Sequence, residues 1–315
     1  MSNEIELKFE INTSDIANLR YFLDQWADSD EVEFLTISPV KNSFTKLNLT
    51  STYYDTSDYY LRNNQCGLRV RECESDNEKE FEITLKRDSK SVSGLHERAE
   101  FNVDLPNSEP NLAVLPHMAL PYNCDIERLQ RDLLPLFSTD FKRQTWLISF
   151  ASSEIEVALD QGEIKSNKKV KIIQEVELEL KQGNKQDLFN FALELSRFHL
   201  HLFSQSKAAR GYCLLKNASL KTCQFDFQAH QDLASLLRFW QQNEEYALEV
   251  NDLELYKQTL NQINYILIDK NLPFEPEFTQ WQMALLTINS VKEFAFSEIN
   301  TKFRLMLIAN MTINQ

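Results

Sequence analysis

The sequence predicts an α+β protein, with eight antiparallel strands in its first two-thirds and an all-helical segment in its last third. Three observations predict it. Eight stretches between residues 4 and 181 alternate apolar with charged residues, the period of a strand with one dry face. From about residue 223 alternation stops and apolar residues recur at helical spacing. On the strands, the charges sort by sign, one strand acidic and another basic.

The first strand is "EIELKFE" (4–10), with Glu4, Glu6, Lys8 and Glu10 opposite Ile5, Leu7 and Phe9. A helix follows at 13–27, its stripe made by Ile16, Leu19, Phe22, Leu23 and Trp26. Residues 28–46 read as a loop. "KLNLTSTYYDT" (46–56) alternates weakly, and "GLRVRECE" (67–74) puts Arg69, Arg71 and Cys73 on one face. "KEFEITLKR" (79–87) sets Glu80, Glu82, Thr84 and Lys86 against Phe81, Ile83 and Leu85. "LHERAEFNVDL" (95–105) carries His96, Arg98, Glu100, Asn102 and Asp104 on its polar face. Prolines break residues 106–140 into short pieces, with a helix near 125–134. Strands return at 141–150 with Arg143 and Thr145, at 153–164 with Glu154, Glu156, Ala158 and Asp160, and at 171–181 with Glu175, Glu177 and Glu179. A helix is expected at 186–202. The chain holds only five glycines, so tight hairpins must use Asn, Asp and Ser.

The tail predicts helices at 230–247, 252–268, 276–288 and 290–310. Its 12 acidic and 6 basic residues between 223 and 315 leave it acidic. The sequence divides accordingly into a strand-rich unit, 1–217, and a helical accessory unit, 223–315.

A net charge of −14 argues against bulk electrostatic binding to nucleic acid or to an anionic membrane. Five cysteines, none in a C-x-x-C pair, read as free thiols in a reducing compartment. Charge from residue 4 onward is unlike a signal peptide, and no apolar run reaches about 18 residues, so a cytoplasmic protein is expected.

Eight strands with a charged face allow two architectures. The charged faces can meet solvent, as antiparallel sheets commonly arrange. Alternatively the sheet closes into a barrel with the charges inside and helices over the apolar outside. Segregation of sign favours the inward arrangement. So does the excess of Arg over Lys on those faces, since the guanidinium fork suits phosphate oxygens. Like charges two residues apart also call for a neutralising partner, a divalent cation for the carboxylates and an anion for the arginines. Oxygen ligands without His or Cys point to Mg2+, Mn2+ or Ca2+. A basic cluster facing an acidic one suits a polyphosphate bound with metal.

"EIELKFE", "YYDT" (53–56), "LR" (61–62), "GLRVRE" (67–72), "EITLK" (82–86), "EVELEL" (175–180) and "SKAARGY" (206–212) together resemble the CYTH superfamily, the triphosphate tunnel metalloenzymes. The resemblance is to the bacterial inorganic triphosphatases that carry a helical CHAD-type domain behind the barrel. It implies an eight-stranded antiparallel β-barrel tunnel with surrounding helices. It also implies hydrolysis of a small-molecule triphosphate with Mg2+ or Mn2+. Carried over, it makes Glu4, Glu6, Asp160, Glu175, Glu177 and Glu179 metal ligands. Lys8, Arg62, Arg69, Arg71, Lys86, Arg98, Arg143, Lys207 and Arg210 become substrate-binding, and Glu177, Glu179 and Lys86 catalytic. The same tunnel in relatives serves thiamine triphosphate hydrolysis or adenylate cyclisation, and a non-catalytic polyphosphate- or nucleotide-binding module is a further alternative. The tail departs from the CHAD pattern, being short, acidic and with His230 as its one histidine; a truncated accessory, a homodimer contact or a stabilising cap is expected of it.

Other residues receive structural expectations. His96 is expected at the rim, His199 and His201 in helix packing, and Cys66 and Cys73 as buried fillers. Tyr53, Tyr54, Tyr59 and Tyr60 are expected to pack at one strand end.

Overall fold

A computed structural model describes residues 2–28, 37–39, 44–75 and 78–313. Strand β1 (Ser2–Ile11) is followed by helix α1 (Ile16–Asp28), β2 (Ile37–Pro39), β3 (Thr45–Asp55), α2 (Tyr60–Asn63), β4 (Cys66–Ser75), β5 (Glu78–Val92) and β6 (Leu95–Leu105). Then come α3 (Ile126–Asp132), β7 (Leu134–Phe150), β8 (Ser153–Ser166), β9 (Lys169–Gln182), α4 (Lys185–Leu195), β10 (Leu200–Leu202) and α5 (Lys207–Lys216). The tail holds α6 (Leu233–Val250), α7 (Leu253–Leu267), α8 (Glu275–Leu285), α9 (Val291–Ala295) and α10 (Glu298–Ile313).

Eight long strands run in the order β1-β6-β5-β4-β3-β7-β8-β9, all antiparallel, and β9 returns to β1. The sheet is therefore a closed barrel with no free edge along that circuit. β1 makes the closure. Ser2–Leu7 pair with β6 on one side, Glu6–Glu10 pair with β9 on the other, and Phe9–Ile11 continue past β6 to pair with β10.

The inward arrangement is the one observed. Leu7, Phe9, Val157, Leu159, Val176 and Leu178 point outward and are fully buried. They belong to one apolar core with Leu19 and Leu23 of α1, Phe189 and Phe191 of α4, and Leu236, Trp240, Trp281 and Leu305 of the tail. Inside, toward one end, the wall turns apolar: Leu49, Tyr53, Phe137, Phe141, Ile164 and Ile173 cluster with Tyr212 of α5. Above that floor the inner wall is charged.

Several expectations are corrected. The helix expected over 186–202 stops at Leu195, and Leu200–Leu202 extend the barrel edge as β10. Phe9, Glu10 and Ile11 leave their outer hydrogen-bonding edge open there, and β10 fills it. His201 therefore lies on a strand and not on a helix, though it packs against α6 through Glu244 at 2.9 Å, and His199 takes a left-handed turn (φ 52°) before it. The loop expected over 28–46 contains β2, paired with β7; residues 29–36 and 40–43 lie outside the described residues. The last helix is two, divided at Phe296–Ser297. Hairpin turns use Ser93–Gly94, Ala151 and Asn167 at positive φ. No helix among the described residues is long and apolar enough to cross a membrane.

Gly162 of β8 is needed for its size. A methyl group there would stand 2.2 Å from the Asp140 carbonyl oxygen and 2.4 Å from the Phe141 Cα, both backbone atoms that cannot yield singly. Gly162→Ala should lower unfolding stability by about 1–3 kcal/mol, the usual cost of overpacking. Urea denaturation measures it, as a lower midpoint at unchanged slope.

Candidate active site

The charged inner wall encloses a cavity of about 740 Å3. Ten Lys or Arg side chains and seven Glu side chains line it, a positive excess inside an acidic chain. Alternation aims these side chains inward, and strand register decides which of them meet.

One wall is basic. Arg69 and Arg71 of β4 stand two residues apart on one face. Burial, with Arg69 and Arg143 beside it, pushes the Arg71 guanidinium down to about 9. Its hydrogen bond goes to the Ser51 hydroxyl at 3.4 Å, and it forms no ion pair with a carboxylate among the described residues. Arg69 has Glu100 at 3.6 Å, while its Nε is buried without a hydrogen-bond partner. Burial would raise the Tyr53 hydroxyl, but Arg69, Arg71 and Lys207 draw it below the ordinary phenol range. Arg71, Arg143 and Lys207 surround the Phe141 ring at 6.0, 5.8 and 5.1 Å from its centre. Arg62 of α2 lies over the Tyr212 ring at 4.2 Å.

The opposite wall is acidic. Register sets Glu6 of β1 across from Glu179 of β9, and Glu179 across from Glu156 of β8. Like charges so placed repel. Arg98 bridges Glu4 at 2.7 Å and Glu6 at 2.8 Å. Lys86 sits between Glu4 at 3.1 Å and Glu100 at 2.8 Å. Glu179 has Lys181 at 2.8 Å, a cation it shares with Glu156 at 3.4 Å. Burial, aided by Glu4 and Glu156 against the pull of Lys181, raises the Glu179 carboxyl above its ordinary range.

Between the walls stands Glu177. Burial would raise it, but Lys207 at 2.9 Å, Lys8 at 2.8 Å and Arg143 at 2.7 Å hold it well below the carboxylate range. Behind it, Asp160 and Glu175 are fully buried. Oxygens of Asp160, Glu175 and Glu177 lie within 4.8 Å of one another, and the Lys207 Nζ stands among them at 2.7, 2.7 and 2.9 Å. Arg143 grips Asp160 with two bonds of 2.7 Å, and Arg210 pairs with Glu175.

Of the residues singled out from sequence, Glu4, Glu6, Lys8, Arg62, Arg69, Arg71, Lys86, Arg98, Arg143, Glu177, Glu179 and Lys207 all line this cavity. Asp160, Glu175 and Arg210 stand behind its wall, their charges committed to neighbours rather than turned to the cavity. His96 is not a rim residue: it is 3% exposed, and burial beside Lys8 drives its imidazole down to about 4. Glu100, Glu156 and Lys181, for which the sequence suggests no site role, line the cavity too, as does Tyr53, expected only to pack at a strand end. Their signal was the same parity along the strand as Arg98, Asp160, Glu179 and Ser51.

The profile of the CYTH domain matches residues 2–212. The chain belongs to the CYTH family. Over 216 residues it is 39% identical to the inorganic triphosphatase of Haemophilus influenzae, covering 68% of this chain and 55% of that protein. The chain thus spans about half the length of this curated relative. Among solved structures, an adenylyl cyclase from Hippeastrum described as having a dominant triphosphatase activity has a TM-score of 0.45 at 14% identity, covering 69% of this chain and 97% of that one. An RNA triphosphatase from S. pombe has a TM-score of 0.30 at 16% identity, covering 68% and 80%.

In this CYTH barrel the inward carboxylates couple stability to pH. Burial would raise Glu100, but Lys86 and Arg69 hold it at about 2 against an ordinary 4.5. Glu4 and Glu6 shift in the same direction, held down by Lys86, Lys8 and Arg98 against burial. A carboxyl depressed by folding stabilises the fold fully above its unfolded value and loses that contribution as pH falls through its folded value. Stability should therefore fall as pH drops from about 4.5 toward 2. Glu100→Gln should lower stability at neutral pH and flatten this acid limb, as urea titrations across the range would measure.

Proposed function

We propose that this chain hydrolyses inorganic triphosphate to pyrophosphate and phosphate inside the barrel, with Mg2+ or Mn2+ as its cofactor. One observation carries the proposal: a cavity with more cations than anions, in a chain of net charge −14, whose Arg71 has no carboxylate partner among the described residues. Confining Arg69, Arg71 and Arg143 side by side raises the energy of the free protein, and a multiply charged phosphate relieves it. The 39% identity to a protein named inorganic triphosphatase supports the same reading. A linear triphosphate presents several oxygens in a row, and Arg69, Arg71, Arg143, Lys8, Lys86 and Lys207 offer donors along the cavity.

The acidic wall has the donor chemistry that a hard divalent cation takes, while the tight carboxylate cluster among the described residues is Asp160, Glu175 and Glu177. Glu4, Glu6, Glu156 and Glu179 offer only carboxylate oxygens, and register opposes like charges that share few cations. Glu4, Glu6 and Glu179, with Glu177 beside them, would hold the ion; Asp160 instead holds Lys207 and Arg143, and Glu175 holds Lys207 and Arg210. When bound, such an ion would screen phosphate charge and acidify water.

The two catalytic glutamates separate into roles. Glu177, flanked by three cations, stays ionised and orients them. Glu179, with one shared lysine where Glu177 has three cations, is the better placed proton acceptor for an attacking water. Lys86 lies where it can steady a departing phosphate. The remaining demand of phosphoryl transfer is positioning and charge neutralisation, which the basic wall supplies. Among the described residues Cys73, Cys124, Cys213 and Cys223 are free thiols, which suits a reducing, cytoplasmic setting.

Phosphate release from tripolyphosphate, ATP, thiamine triphosphate and pyrophosphate tests the proposal. Turnover is expected on tripolyphosphate with Mg2+ or Mn2+ and should vanish with chelator. Turnover that survives chelation, or none on any triphosphate, would reject it. Glu4→Gln and Glu179→Gln should each lower the rate about 100-fold or more, the usual loss for a key electrostatic group, with folding intact by circular dichroism.

A further inference from the structure

The helical tail reaches the cavity through buried side chains. Gln241 of α6 donates its Nε2 hydrogen to the Leu202 carbonyl at 3.0 Å. One turn on, Glu245 accepts from the Ser204 amide at 2.9 Å, the Ser204 hydroxyl at 2.7 Å and the Gln205 side chain at 2.9 Å. The next residue, Ser206, caps α5 by accepting the Ala209 amide at 3.1 Å, and the first residue of α5 is Lys207. The connection that leads into Lys207 is thus held by two residues of α6.

A second path runs through ions of alternating sign. Arg304 of α10 pairs with Glu244 of α6, and Glu244 meets the His201 Nε2 at 2.9 Å. His201 faces Glu10 at 3.5 Å through Nδ1. Burial opposes charge on His201, yet Glu10 and Glu244 push it up to about 9, so the ring is cationic at neutral pH. Burial would raise Glu10, and His201 and, from beyond ion-pair distance, Arg210 hold it down. Arg210 pairs with Glu175, which also holds Lys207 at 2.7 Å. The first path ends at the backbone that carries Lys207, and the second runs through Glu244 of α6 toward Glu175, which holds the Lys207 ammonium.

We propose that α6 is a positioning element of the site, with Glu245 and Glu244 as the positioning residues that set where Lys207 stands among Asp160, Glu175 and Glu177. The consequence for turnover rests on the triphosphatase reading; the placement of Lys207 does not. Residues joined in one ionic network couple, so a change at α6 is felt at Lys207 without either touching the other.

Residue-resolved reductive methylation of the full chain, read by mass spectrometry, tests the placement with no ligand present. In Glu245→Ala and in Glu244→Gln, labelling of Lys207 should rise about tenfold, the size of coupling within one network. Lys86, held by Glu4 and Glu100 on the other wall, should label at the wild-type rate. Glu245→Ala cuts the clamp and the bond from Gln241 but none of the bonds to Glu244, so it serves if Glu244→Gln fails to fold. An unchanged Lys207 rate overturns the proposal. An equal rise at Lys86 also overturns it, because it reports general loosening rather than positioning. Calorimetric titration with tripolyphosphate then tests the consequence. Glu245→Ala should weaken binding about tenfold alone and add nothing in a Lys207→Ala background. Labelling as expected, in a wild-type protein that binds no tripolyphosphate, upholds the positioning and removes the triphosphatase reading.

Discussion

Closing a charged sheet on itself is the constraint on which the rest depends. Once β9 returns to β1, most inner-face charges lose much of their bulk water, and each so buried must find a counter-charge or stay costly. The inner wall answers with a dense set of ion pairs: Arg98 with Glu4 and Glu6, Arg143 with Asp160 and Glu177, and Lys207 with three carboxylates. Such pairs add little to stability on their own, because desolvation offsets much of the attraction. Their effect here is to fix where the uncompensated charges lie.

Two kinds of residue remain uncompensated. Arg71 faces the cavity with a hydroxyl for its partner, and Glu179 faces it among other glutamates with one shared lysine. The cavity is consequently polarised, with anion-seeking groups over the Phe141 floor and cation-seeking groups across from them. Burial acts on both but with opposite sign, lowering the arginine and raising the glutamate toward neutral pH. Glu177, two residues from Glu179 on the same face, goes the other way because three cations reach it.

Turning the charges inward leaves an apolar exterior, and the helices exist to cover it. α1, α4 and the tail helices share one continuous core with the outward faces of β1, β8 and β9. At roughly 25 cal/mol per Å2 of apolar surface, that burial is the main favourable contribution to the fold. The tail is joined to the barrel by polar contacts as well, since Gln241, Glu244 and Glu245 reach the backbone and side chains that precede α5.

Alternation along each strand was enough to read the eight long strands, the face each charge occupies and most of the cavity lining, because a period of two is local to the chain. "EIELKFE" alone states that Glu4, Glu6 and Lys8 share a face. It cannot state that Glu6 meets Glu179 while Lys8 meets Glu177, since that is a matter of register between strands about 170 residues apart. For the same reason Glu100 and Glu156 look like ordinary polar-face residues in the sequence, and nothing local to Arg210 shows that it holds Glu175. Leu200–Leu202 had helical neighbours in sequence but an open strand edge in space, and the edge prevailed. The sequence by itself determined which residues are charged, which are apolar and which face each occupies. The tertiary structure alone decided which charges are neutralised and which are left for a ligand, because ion pairing depends on distances of a few ångströms that only barrel closure sets.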